Sequence, residues 1–314
     1  MAIGRRLLAP IQQTSGMGRW VLVGGALITV MFVILAIFAP WIAPYGYAQQ
    51  SADGKPFPKL APPGGEHLMG TDRGFFDVYS RVVWGARTEL TVVVLAVAAS
   101  LLIGVVLGVM SGYIGGWLDR VLVLVMDALY AFPSLLLAIV FAFLLTGLLG
   151  GSITAAALSL TVIYMPQYYR VVRNTTVSAK EATYIEAARA LGAPRRTIMG
   201  RYLFGNVIQS VPVIGTLNAA DAVATLAALG FLGLGIQPTD GADWGYDLSR
   251  SLDDVSSGIW WTSVFPGMAI VLLVTGLTLV GEGLNETLNP TLRKRRLTRI
   301  IAPKRERTEQ EAIR

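Results

Sequence analysis

The chain has 314 residues, of which 54% are hydrophobic and only 15% charged, and its formal net charge is +6. A soluble domain carries about a quarter charged residues, so an ordinary soluble enzyme and a disordered chain are both excluded and several membrane spans are expected. Cysteine is absent and His67 is the single histidine, which rules out disulfides, thiol nucleophiles and thiolate or multi-histidine metal sites.

A helix crosses the hydrocarbon core with about 20 apolar residues. Residues 1–19 carry Arg5, Arg6 and Arg19 and precede an uncharged run from Trp20 to Ala39. That run exceeds the ~7–15 residues of a signal-peptide core, and Pro40-Trp41 is a poor cleavage site, so an uncleaved first span over 20–39 is predicted. The segment 40–89 holds five basic and five acidic residues among many Pro and Gly. It reads as an external loop segment too small for a large core of its own, with His67 solvated or capping a helix.

Residues 90–292 read as the membrane core. Leu90 to Leu118 is uncharged, and its N-terminal two-thirds makes span two. Gly104, Gly108 and Gly112 recur there at four-residue spacing. This is either a face for close helix packing or the general glycine content of membrane helices. Val121 to Thr146 is span three, interrupted by Asp127 and Pro133, and Gly147 to Ser152 is a turn. Ile153 to Tyr169 is span four, Val207 to about Leu229 is span five with Asp221 inside it, and Ile259 to Gly281 is span six.

Charge tests this count, because Lys and Arg remain on the cytoplasmic side. The segment Arg170 to Arg201 has seven basic residues against two acids, and the tail 293–314 has nine against three. Gln237 to Ser257 has five aspartates against the single Arg250. The two basic segments are therefore inside and the acidic one outside, a parity that six spans satisfy with both termini cytoplasmic. The basic stretch from Arg293 to Arg299 is either a contact for anionic lipid or a topology determinant.

The chain has no G-x-x-x-x-G-K-[ST] and so binds no ATP through a P-loop. The run Gly230-Phe231-Leu232-Gly233-Leu234-Gly235 leads into an acidic external loop and does not read as a phosphate cradle. No carboxylate dyad stands where acid/base catalysis would need one, and nothing reads as an enzyme.

The cytoplasmic segment 178–206 is the informative one. Ser178 and Glu181 are spaced as a capping box, Gly192 suits the left-handed residue after a helix, and Pro194 suits the first position of the next helix. The prediction is a helix of about thirteen residues, a tight turn, and a second helix running towards Phe204. Ala187, Ala188 and Ala190 offer a low-relief surface, Glu186 and Arg189 charged contacts, and Tyr184 with Ile185 an anchor for a partner protein. A solvated amphipathic loop helix has the same pattern. So does a DNA-binding helix-turn-helix with Arg195 and Arg196 on phosphate, but here it would be tethered at both ends to membrane spans, and no nucleic-acid partner is inferred.

Glu186-Ala187-Ala188-x-x-x-Gly192 resembles the EAA loop of ABC-type importer permeases. Gly70-Thr71-Asp72-Arg73-Gly74-Phe75-Phe76-Asp77-Val78-Tyr79-Ser80-Arg81 resembles the G-T-D-x-x-G-R-D-V-x-S-R stretch of the C-type permease of dipeptide and oligopeptide importers, and Gly85-Ala86-Arg87-Thr88-Glu89-Leu90 continues it. Asp119-Arg120, Asp127 and Phe132-Pro133-Ser134 are similar to that family's third span. Phe231 to Pro238 with Trp244-Gly245 is similar to its fifth-span exit, and Phe265-Pro266-Gly267 and Gly281-Glu282-Gly283-Leu284 to its last span. The resemblance covers about Met17 to Arg293. The chain departs from the pattern at Phe76, usually Arg, and at Tyr202 and Gly205, often His and Pro, while Asn206 is kept.

The resemblance implies an all-α membrane protein with six transmembrane helices, a type I ABC importer permease fold and cytoplasmic coupling helices, in a bacterial or archaeal cytoplasmic membrane. It implies a pore shared with a second homologous permease, two ATP-binding subunits that hold ATP and Mg, and an extracytoplasmic substrate-binding protein, with no cofactor on this chain. Tyr184, Glu186, Ala187, Ala188, Arg189 and Gly192 are then the expected coupling contacts. Asp127, in the family's pattern, has a structural or inter-helix role. Asp221 is outside the pattern and is either bonded to a neighbouring helix or lines the translocation path, for which both aspartates are candidates. The cargo implied is di- or oligopeptide. A nickel chelate, glutathione or another small solute fits the same architecture, and a self-sufficient secondary transporter is the competing class.

Overall fold

A computed structural model describes residues 17–149, 152–208 and 211–288. The expected N-terminal segment up to Gly16, the Gly150-Gly151 part of a turn and the basic tail 293–314 lie outside them. The described chain is almost entirely helical. In order come α1 (Met17–Ile37), α2 (Ala39–Ile42), a hairpin of β1 (Ser51–Ala52) and β2 (Lys55–Pro56), then α3 (Val78–Ile114), α4 (Gly116–Ala131), α5 (Ser134–Leu149) and α6 (Ser152–Ala179). The chain continues through α7 (Thr183–Ala190), α8 (Arg195–Thr197), a π-helical stretch Ile198–Leu203, α9 (Phe204–Val207), α10 (Val211–Phe231), α11 (Trp244–Arg250), α12 (Leu252–Ser256) and α13 (Trp261–Leu288).

The centre of the bundle is the pair α3 and α6, and the glycine stripe makes it. A Cβ on Gly104 would lie 2.7 Å from the Tyr168 Cβ, one on Gly108 2.8 Å from the Tyr169 carbonyl oxygen, and one on Gly112 2.9 Å from that of Arg173. Three consecutive turns of α3 therefore lie against the backbone of α6. The stripe is a packing face, and any side chain there would force the helices apart. A second such pair joins α1 to α13, where a Cβ on Gly25 would lie 2.6 Å from the Leu279 Cβ and one on Gly283 2.6 Å from the Leu22 Cβ.

Four described helices are long and apolar enough to cross a membrane: α1, α3, α10 and α13. The bent pair α4–α5 makes a fifth if it counts as one span. Two expectations are corrected here. Span three is not one helix but two, meeting at 100°, because Pro133 forces Phe132 into extended backbone (φ −78°, ψ 142°) and ends α4. The helix that contains span two begins at Val78, twelve residues before the expected span, so that α3 is 37 residues long. That is about 55 Å against a hydrocarbon core of about 30 Å, so its first turns stand outside the apolar layer. The expected span four, α6, is 28 residues long but too polar to qualify by composition. Two of its hydroxyls are turned inward: Ser159 and Thr161 are buried and donate to the carbonyls of Ala155 and Ala157, each at 2.7 Å.

The external segment folds onto the bundle. Asp77 caps α3 by accepting from the Ser80 amide at 2.8 Å, and its other oxygen is 2.9 Å from His67 Nδ1. His67 is buried between Tyr45 and Phe57. It is neither solvated nor a cap, but holds the residue that is one. Trp244, fully buried, wedges against Gly85 and donates to the Val82 carbonyl at 3.1 Å.

The glycine stripe gives a direct prediction. Gly108→Leu should destabilise the purified protein by about 1–3 kcal/mol or more through overpacking against rigid backbone. Gly24→Ala, where a Cβ meets nothing within 4 Å, should be neutral or slightly stabilising. Thermal melting in detergent reads both, and equal melting temperatures for the two variants would refute the close contact.

Candidate functional site

The hairpin expected over 178–206 begins where α6 ends. Lys180 donates its amide to the Thr176 carbonyl at 2.9 Å, so the long helix runs through Ser178, whose hydroxyl turns back to the Asn174 carbonyl at 3.2 Å. The expected capping box of Ser178 and Glu181 is therefore not formed. The residue before α7 is Ala182, without a side-chain cap, and α7 has eight residues instead of about thirteen. Its end is as expected. Gly192 has φ +78°, and the Ala193 amide reaches the Ala188 carbonyl at 3.0 Å, the double turn that follows a helix closed by a left-handed residue. Pro194 stands just before α8 instead of inside it. The second helix reaches Phe204 through a π-helical stretch, a form found mostly at functional positions.

The hairpin has its own core. Ile185, Ile198 and Leu203 are all but inaccessible and pack with Tyr113 and Met199. This corrects two expectations: Ile185 is not an external anchor and Ala188 is not part of an open face, because helical periodicity turns both inward. Tyr184, Glu186, Ala187 and Ala190 remain on the outer surface. Arg189 is exposed, with its guanidinium 5.4 Å from the centre of the Tyr113 ring, near the end of α3. The same ends of α3, α4 and α6 are latched by Asp119, which receives both Arg173 Nε at 2.6 Å and Nη2 at 2.7 Å, while Ser111 donates to it.

Asp127 is 2.9 Å from Arg170 Nη2, and that guanidinium lies 4.3 Å from the Tyr130 ring centre. The pair joins α4 to α6, the inter-helix role expected of it. Asp221 is exposed on α10 and accepts from Tyr164 Oη at 2.8 Å. Tyr164 Oη is also 3.2 Å from the Thr225 hydroxyl. Asp221 borders a cavity of about 290 Å³ beneath the α4–α5 bend, with Tyr130, Ser134 and Gln167 among its walls. It is thus both bonded to a neighbouring helix and cavity-lining. Sequence reasoning missed Tyr164 and Arg170 as the partners of the two aspartates. The need for a partner was legible, but α6 offers several polar residues and only packing selects one.

The acidic external loop is not a free acidic surface. Arg81, buried, places Nε 2.7 and 2.8 Å from the two oxygens of Asp247. Arg73 reaches Asp254 with Nε at 2.9 Å and Asp253 with Nη1 at 2.8 Å. Asp240 caps α6, accepting from the Ser152 amide at 3.0 Å, and the Ser152 hydrogen bonds hold its carboxyl below the usual range. Asp243 caps α11 through the Gly245 amide at 2.7 Å and also accepts from the Ile236 amide at 2.9 Å. Gly230 and Gly235 make room for that carboxylate, so the glycine run holds an aspartate and not a phosphate.

Burial pushes the carboxyls of Asp72 and Asp243 up to about 6, with the charge of Asp247 adding to both. A carboxyl whose folded pKa is raised binds its proton more tightly in the native state. Its contribution is therefore complete at low pH and is lost as pH rises through about 6. From these two groups melting should occur at higher temperature at pH 5 than at pH 7. Asp72→Asn and Asp243→Asn should each remove part of that difference, roughly 3 kcal/mol at most. Tryptophan-monitored melts of the three proteins check this, and an unchanged pH slope in both variants would refute it.

With this geometry in view, comparison with known proteins is direct. The family model described as the binding-protein-dependent transport system inner membrane component matches residues 104–294. The model of the N-terminal TM domain of oligopeptide transport permease C matches residues 19–63. The chain is 40% identical to the dipeptide transport system permease protein DppC of Escherichia coli over 272 residues, 86% of this chain and 89% of the relative. It is 36% identical to the DppC of Alkalihalophilus pseudofirmus over 269 residues, 86% and 85% of the two chains. It is also 36% identical to the glutathione transport system permease protein GsiD of Shigella sonnei over 269 residues, 85% and 86% of the two. A bundle of long apolar helices and these matches agree: the chain is a multi-pass membrane protein that belongs to the family of inner-membrane components of binding-protein-dependent transport systems.

Proposed function

We propose that the chain is one of two homologous permeases of an ATP-driven importer of di- and oligopeptides. Its relatives named for dipeptide transport support the cargo. The observation that carries the mechanism is the hairpin α7–α9: a small rigid core fastened to the ends of α3 and α6, with Tyr184, Glu186 and Ala187 facing out. A rigid body held by two long helices transmits a push from a partner into the bundle. Two ATPase subunits, holding ATP and Mg, would supply that push, and hydrolysis would take place on them.

Six spans follow if α6 and the bent pair α4–α5 are each counted as one. The α6 helix is about 42 Å long at 1.5 Å per residue, enough to cross, and its polar groups need not meet lipid. Both termini and the hairpin are then cytoplasmic, and the hairpin's basic residues obey the charge rule. The acid-rich layer of α11 and α12 faces outward, where a substrate-binding protein would dock. Ligand-loaded binding protein and nucleotide drive the cycle only through different affinities for the inward-open and outward-open states. A glutathione importer is the second reading, favoured by the similarity to GsiD.

Gly192 tests the coupling. With φ +78° and open space within 4 Å of where a Cβ would stand, backbone conformation and not crowding is what a side chain would violate. In the assembled transporter, Gly192→Val should lower peptide-stimulated ATPase activity by about tenfold, given a strain of about 1–3 kcal/mol. Gly192→Asn, which tolerates the left-handed region, should keep most of it. Normal stimulation in the valine variant would overturn the coupling role. Stimulation by glutathione but by no dipeptide would select the second reading.

A further inference from the structure

Asp221 is the eleventh residue of the 21-residue helix α10, and a span of that length puts its midpoint near the middle of the bilayer. An ionised carboxylate there costs several kcal/mol unless a partner or water receives it. Tyr164 satisfies one oxygen with a neutral donor. Among the described residues no cation pairs with Asp221. Arg170, three residues beyond Gln167 on α6, is held by Asp127 and by the face of Tyr130. Asp221 therefore brings to the cavity a carboxyl with no cation partner among the described residues; the other polar walls, Tyr130, Ser134 and Gln167, are neutral, and Phe132 is an aromatic wall. A carboxylate between low-dielectric walls concentrates cations, and aromatic faces add to the attraction for an ammonium group. The α-amino group of a peptide has an unperturbed pKa of about 7.7–8.0 and is mostly cationic at neutral pH.

We propose that Asp221, oriented by Tyr164, receives the protonated amino terminus of the peptide as it passes through the membrane. This rests on the peptide-importer reading above. Only one side of the carboxylate is engaged by protein, so the contact forms without trapping the cargo. Tyr164 is a positioning residue: it touches Asp221 and fixes where its charge lies.

The test uses the whole transporter, with its second permease, ATPases and binding protein, in proteoliposomes, and an unmodified dipeptide as probe. The readout is dipeptide taken up per ATP hydrolysed. Asp221→Asn keeps an oxygen for Tyr164 and removes only the charge. It should lower uptake per ATP by about tenfold while leaving ATPase stimulation by the loaded binding protein within about twofold. Asp221→Glu should restore most of the uptake, and Tyr164→Phe, which keeps the charge, should retain at least about half. Unchanged uptake per ATP in Asp221→Asn overturns the proposal. So does failure of that variant to assemble with the second permease, since the charge would then be holding a cation of that subunit. An unaltered complex that shows no dipeptide-driven uptake refutes the peptide-importer reading instead, and leaves the charge at Asp221 to be tested with another cationic cargo.

Discussion

The whole arrangement depends on backbone contact between α3 and α6. In a bilayer no hydrophobic force drives one apolar helix onto another, because lipid tails are as apolar as leucine. Association must come from dense van der Waals packing and from polar contacts. Gly104, Gly108 and Gly112 supply the first by removing side chains over three turns, so that the Met165, Tyr169 and Arg173 carbonyls of α6 lie directly against α3. Close approach then makes the second available. Ser111 reaches Tyr169 Oη at 2.7 Å and donates to Asp119, which in turn receives the guanidinium of Arg173. Packing and polar pairing are one construction.

Both ends of this pair carry further structure. At one end, Tyr113 of α3 and Ala179 of α6 enclose the Ile185, Ile198 and Leu203 core of the hairpin. At the other end the first turns of α3 bring Arg81 to Asp247 and Trp244 to the Val82 carbonyl. The α3–α6 pair thus carries the hairpin at one end and an ionic layer at the other. The more open parts lie beside it: the bend at Pro133 and the cavity at Asp221.

The external layer shows how charge is used outside the lipid. Five aspartates between Gln237 and Ser257 looked like an acidic surface, yet each has a partner: Ser152, helix-capping amides, Arg81 and Arg73. The cations come from a segment more than 150 residues earlier in the chain, which a local reading of charge cannot connect. The buried Arg81–Asp247 pair has a large desolvation cost and is kept by good geometry and further hydrogen bonds. It is weak evidence for net stability and better evidence that the two external segments have a fixed register.

Sequence alone determined the class, the location of most apolar helices, the direction of the charge asymmetry, the left-handed turn at Gly192 and the break near Pro133. These are local properties: hydropathy over a span, charge in a loop, a glycine after a helix, a proline without an amide hydrogen. Tertiary structure decided what needed a second segment to define it. The α6 helix runs on to Ala179, past the expected end of span four, and its buried Ser159 and Thr161 hydroxyls are satisfied by its own carbonyls. Ser178 was spaced as a cap and became the last turn of a long helix, because packing against α3 extended α6 beyond the point where local preference would have stopped it. Ile185 and Ala188 turned inward because a neighbouring helix was there to receive them. Asp127 and Asp221 announced the need for partners by lying inside apolar runs, and only the folded bundle, by placing Arg170 and Tyr164 opposite them, chose which.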